Sequence, residues 1–207
     1  MAMAAGGFRR VGEAEVVLAF LRGELDSARF GAAVRRAVAE AGGLDLVRRP
    51  DLGCEEENRA RERALAVSRG WRDSGLFDGF PAEVDWYHGV LSPEVLSRVR
   101  YIDYSYWNEL SGGSRRPVDV LPAIRSGRLP GWVREAGTDW CLEGAARLAS
   151  VAVLDDLIVV GTPDLDELVV LEGHARLTAV HVGGWQGRLE IRSYLGVSAG
   201  IGQWGCF

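Results

Sequence analysis

The stretch Glu167–Gly183, E-L-V-V-L-E-G-H-A-R-L-T-A-V-H-V-G, decides the fold. Its apolar run Leu168–Leu171 has the length of a buried strand, Glu172-Gly173 turns the chain, and His174 and Arg176 open a segment of helical periodicity. Strand, glycine corner and helix start follow one another without a linker. The first N–H groups of a helix have no partner within it and lie at the positive end of its dipole. Cations beside them make this corner a candidate phosphate site.

Working outward, Leu157–Gly161 reads as a strand and Thr162-Pro163-Asp164 as a turn, so a hairpin with Glu167–Glu172 is expected. On the other side, Arg188–Leu195 alternates Leu189, Ile191 and Ser193 against Glu190, Arg192 and Tyr194 and predicts a last strand. Thr138 or Asp139 can cap a helix running to Leu154, and Pro117–Ser126 reads as a short helix ended by Gly127. The segment 142–153 echoes 171–182, with Ala145 where the second copy has His174. One echo does not make a repeat array.

The N-terminal half reads as helical. Residues 1–12 suggest a disordered lead-in, Glu13–Arg22 a helix ended by Gly23, and Asp26 or Ser27 the cap of a second helix stopped by Gly42-Gly43. Glu55–Trp71 carries Ala60, Ala64, Val67 and Trp71 as one stripe, with Glu55–Arg59 and Glu57–Arg61 in the favourable i,i+4 order, so its charge run reads as a solvated face. Trp86-Tyr87-His88 reads as irregular, with His88 structural, and Ser92-Pro93 caps a short helix. Tyr101–Trp107 fits a period of two or of 3.6, as core packing or as the wall of a substrate pocket. In the second case Tyr104 and Trp107 join Ser114 and Arg115 of the following S-G-G-S-R-R loop, which can turn N–H groups and a guanidinium toward an anion.

Composition removes several functions. The 24 cations are all arginine, so a Schiff-base lysine, a pyridoxal-phosphate anchor and a phosphate-loop lysine are absent. The bias itself fits a GC-rich genome. A net charge of -5 argues against a nucleic-acid partner, which needs a cation surplus. Cys54, Cys141 and Cys206 lack C-x-x-C spacing, which points to a reducing cytoplasm and away from a thiolate zinc site. No segment approaches the roughly 18 apolar residues of a membrane span, and no signal-peptide pattern follows Arg9-Arg10. His174 and His181 are seven residues apart, poor spacing for a metal pair, so no metal ligand is assigned.

The corner E-G-H-A-R-L-T-A at 172–179 resembles the nucleotide-binding corner of the ParB/sulfiredoxin-like superfamily, and most closely its free-serine-kinase form, D-G-H-H-R. Glu172 stands in the place of the aspartate; Gly173, His174, Arg176 and Ala179 match; Ala175 replaces the second histidine. The histidine where sulfiredoxins carry their cysteine argues against sulfinic-acid reduction, and Ala175-Arg176 in place of an arginine pair argues against partitioning.

The resemblance implies an α/β (α+β) protein with a helical substrate or cap region over 1–115 and a small mixed-sheet nucleotide-binding domain over 116–207. It also implies ATP or ADP with Mg2+ as cofactor, held by Gly173, His174, Arg176 and Thr178. The expected activity is a kinase-like phosphotransfer to a small hydroxyl- or amino-acid-like metabolite, with Glu172 and His174 as catalytic residues. Glu172 is the candidate general base, its other reading being a solvated carboxylate at a strand end. The alternative is a non-catalytic nucleotide- or ligand-sensing module, DNA-associated in one form.

Overall fold

Leu157–Val160 and Leu168–Leu171 are buried along their whole length, so the sheet they form needs cover on both faces. The structure, a computed structural model that describes residues 7–73 and 75–207, supplies it. Six strands make one mixed sheet: β1 (Arg9–Val11), β2 (Asp85–Val90), β3 (Val99–Tyr101), β4 (Val153–Gly161), β5 (Leu168–Glu172) and β6 (Glu190–Val197). Their order across the sheet is β1-β2-β6-β4-β5-β3. β4 and β5 form the expected antiparallel hairpin, β6 runs parallel to β4, and β3 runs parallel to β5 at the edge.

On one face Ile158, Val160, Val169 and Leu171 share a core with α1 (Glu13–Leu25), α2 (Gly31–Ala41) and α4 (Glu55–Arg69), while α3 (Asp45–Arg48) closes the end of that layer. On the other, Leu157, Val159, Leu168 and Val170 pack with residues of α9 (Asp139–Arg147) and α10 (His174–Val182). Shorter helices complete the chain: α5 (Pro93–Arg98), α6 (Ser105–Leu110), α7 (Val120–Ser126) and α8 (Gly131–Glu135). The fold class is α/β with a mixed sheet, as the sequence implies. No helix among the described residues is long and apolar enough to cross a membrane.

Several expectations need correction. The boundary at 115 falls within one sheet, because β1, β2 and β3 come from the stretch read as helical. Of the lead-in, residues 1–6 lie outside the described residues and Arg9–Val11 is strand. Trp86-Tyr87-His88 lies inside β2, paired with β6. The helix expected to reach Leu154 ends at Arg147, and Val153 and Leu154 instead pair with Glu190 and Ile191. Tyr101–Trp107 obeys neither period throughout, since Tyr101 ends β3 and Ser105 starts α6. The echo is not a structural repeat: Leu142-Glu143-Gly144 is mid-helix, whereas Leu171-Glu172-Gly173 is the strand-to-helix corner.

In α4 the buried stripe is Ala60, Arg61, Ala64 and Leu65, while Val67 is 78% exposed. Its charge run is therefore not wholly a solvated face.

Candidate active site

At the corner, Gly173 adopts φ 94, a left-handed conformation that costs glycine nothing and strains any other residue. A Cβ there would lie 2.5 Å from Leu157 Cδ2 and 3.1 Å from Arg176 Nη2. Gly173→Ala is expected to cost about 2 kcal/mol or more from backbone strain and overpacking together, read as a lowered urea midpoint at unchanged slope.

The corner already holds an anion of its own. Glu172 forms an ion pair with Arg176 one turn into α10, and only 11% of the Glu172 side chain is exposed. Burial pushes its carboxyl up to about 7, outweighing the pull of Arg176, and the nearby Glu24 carboxylate adds to the rise. Helix α1 crosses directly above through Gly23, where a Cβ would stand 3.0 Å from Glu172 Oε2. Glu24 in turn pairs with Arg69 of α4 at 2.9 Å.

His174 is not a cation. Its ring lies nearly parallel to those of Tyr101 and Trp107, with Trp107 4.8 Å from each of the other two. Burial, with Arg69 nearby, pushes its pKa down to about 3, and its Nε2 is enclosed without a hydrogen-bond partner among the described residues. Thr178 is fully buried, with its hydroxyl 2.7 Å from the His174 carbonyl and 2.5 Å from the Tyr101 hydroxyl. It props the aromatic stack and offers nothing to a ligand.

Of the expected substrate wall, Trp107 does reach His174, but Tyr104 is 43% exposed. Ser114 bonds to the Ser111 carbonyl at 3.0 Å. Arg115 spends its fork on backbone carbonyls: Tyr101 at 2.9 and 2.8 Å, Phe207 at 2.8 Å and Cys206 at 3.3 Å. It ties β3 to residues 206–207, with the Asp103 carboxylate 4.0 Å away.

An open cleft of about 450 Å³ lies beneath α1, and Arg176 lines it. Glu15 and Arg22 of α1, Asp156 of β4, Tyr194 of β6 and Leu52 line it as well. Asp156 sits where the β4–β6 register shifts between Leu154 and Leu157, a bulge of the kind that re-aims a side chain. Asp156 Oδ1 is 2.8 Å from His88 Nε2. His88 stands opposite Tyr194 in the β2–β6 ladder, with the two rings 4.6 Å apart. Burial and the Asp156 carboxylate push the Tyr194 hydroxyl up to about 12, so it remains a hydrogen-bond donor at neutral pH. Glu15 is held by Arg9 at 2.6 Å, and Arg22 Nε donates to the Val47 carbonyl at 3.2 Å.

Of the residues singled out in the sequence as ligand contacts, Arg176 lines this cleft, whereas Asp156 is not among them and His88, read as structural, reaches it through Asp156. Asp155-Asp156 interrupting an apolar strand is a signal for the bulge; nothing local connects residue 88 to it. Among the described residues no group of three or more His, Cys, Asp or Glu side chains is placed to hold a metal ion. Comparison with known proteins finds no match to this chain, whether among family models, curated proteins or solved structures.

Proposed function

We propose that the cleft beneath α1 is the active site of a nucleotide-dependent phosphotransferase acting on a small hydroxyl- or amino-acid-like metabolite. The observation that carries this reading is the convergence of two guanidinium groups, Arg22 and Arg176, and a histidine-backed carboxylate, Asp156, on one cleft of about 450 Å³. That volume suits a small ligand. The arginines supply forks for phosphate oxygens and stabilise charge as it develops, which is most of what phosphoryl transfer asks of a protein. Bound Mg2+·ATP would supply the transferable phosphoryl group. Asp156 accepts the proton of the attacking hydroxyl, and His88 behind it fixes the carboxylate.

Arg176 must exchange Glu172 for a phosphate oxygen. A carboxyl titrating at about 7 makes that exchange cheap, because proton uptake neutralises Glu172 as its partner leaves. Nucleotide binding is therefore expected to take up a proton and to weaken as pH rises above 7. Titration calorimetry in buffers of different ionisation enthalpy measures both. Arg176→Ala should weaken Mg2+·ATP binding tenfold or more, and Asp156→Asn should leave binding intact while lowering turnover roughly 100-fold. A wild-type titration without nucleotide binding overturns the proposal. Binding without phosphate release or a phosphorylated product would assign the chain to the alternative, a nucleotide-sensing module.

A further inference from the structure

We infer a second anion site, independent of the phosphotransferase reading, in the cavity where the end of α1 meets α2 and α3; its ligand class is the phosphate dianion. The cavity measures about 310 Å³ and is lined by Arg22, Arg35 and Arg48, with Asp26 as the carboxylate and Leu44 and Val47 as an apolar floor. Three cations against one anion leave two positive charges, in a chain whose net charge is -5.

The arginines are only partly spent. Arg35 donates to the Leu25 carbonyl and lies 3.9 Å from Asp26. Arg22 gives its Nε to the Val47 carbonyl, and its terminal nitrogens have no hydrogen-bond partner among the described residues. Arg48 has neither a side-chain hydrogen bond nor an ion pair among the described residues. Its neighbours on the same layer contrast with it: Arg49 pairs with Asp45, and Arg59 with Glu55 and Glu56. Unspent guanidinium edges around an apolar floor match the oxygen pairs of a phosphate, and a dianion balances the two surplus charges where a lone carboxylate would balance one.

Arg22 lines this cavity and also the cleft with Arg176. The two sites thus share one wall, which gives the test its structure. Inorganic phosphate, pyrophosphate and glycerol 3-phosphate, titrated calorimetrically into the full chain at low and moderate salt, separate free phosphate from phosphate esters as the source.

Pyrophosphate binding is expected to fall tenfold or more in Arg48→Ala and to stay within twofold of wild type in Arg176→Ala. Nucleotide binding should show the reverse pattern, and Arg22→Ala should weaken both. Arg48 is exposed and, among the described residues, unpaired, so its alanine variant should keep the wild-type circular dichroism spectrum, with Arg48→Gln as a second variant. Absence of binding by all three probes, or equal binding by wild type and both Arg48 variants, overturns the site whatever becomes of the nucleotide cleft.

Discussion

Replacing Arg61 by alanine is expected to lower the unfolding free energy by about 3–5 kcal/mol, the range for breaking a buried, hydrogen-bonded charge. Arg61 is wholly buried although it lies in the charge run of α4. Its guanidinium donates to the Leu46 carbonyl at 2.9 Å, the Asp51 carbonyl at 3.0 Å, Glu57 at 3.0 Å and Asn58 Oδ1 at 2.5 Å. Alanine would strand these acceptors and leave a void where α4 meets α3 and the loop after it. Lysine has no planar fork and should recover less than half of the loss. Urea titration of the three proteins measures this, and a loss below 1 kcal/mol in Arg61→Ala would show that the acceptors find water at little cost.

The second large effect is expected on acidification. His174 and His181 titrate near 6.5 in the unfolded chain but are pushed down to about 3 and about 4 by burial. As pH falls below 6.5 the unfolded state gains protons that the fold refuses, and stability is lost. Glu172 acts with the opposite sign: raised to about 7, it gains a proton in the fold before it does in the unfolded chain, so its protonation adds stability from 7 down to about 4.5.

One proton partly offsets two over that window, and near its lower end His181 begins to take up its own proton in the fold. Stability should therefore fall at a nearly even slope from about pH 6 to pH 4, with a total loss of about 3 kcal/mol by pH 4. Urea midpoints between pH 8 and 4 test this. His174→Phe keeps a ring in the stack and removes the unpartnered Nε2, so it should flatten the acid limb and raise stability at neutral pH by about 1 kcal/mol. An acid limb as steep as that of wild type would remove His174 from the account.

What the sequence made legible was local. The hairpin, the glycine corner and the start of α10 are written in neighbouring residues, and so is the cap of α5, where Ser92 Oγ accepts from Val95 N–H. Residues distant in the chain decided the rest. His174 looks like a phosphate ligand until Tyr101 and Trp107 close over it, and Arg176 looks free until the Glu172 carboxyl is found enclosed beneath Gly23. Arg61 shares the i,i+4 stripe of Leu65, but a charge at that position reads as solvated unless the carbonyls of Leu46 and Asp51 are known to reach it. β1 is too short to announce itself, and β2 contains Gly89, so neither gives a strand signal until β6 pairs with β2.

The strand order carries a consequence for the time course of folding. β6, the last strand in the chain, lies in the middle of the sheet, between β2 and β4, with Asp85 opposite Val197. During synthesis β2 and β4 must therefore wait with a gap between them, because the strand that joins them is not yet made. Pairings of such long sequence separation fold slowly and leave apolar surface open to aggregation. The chain commits to its structure when β6 inserts, and a growing polypeptide arrested before Glu190 should be a client of chaperones, not a folded intermediate.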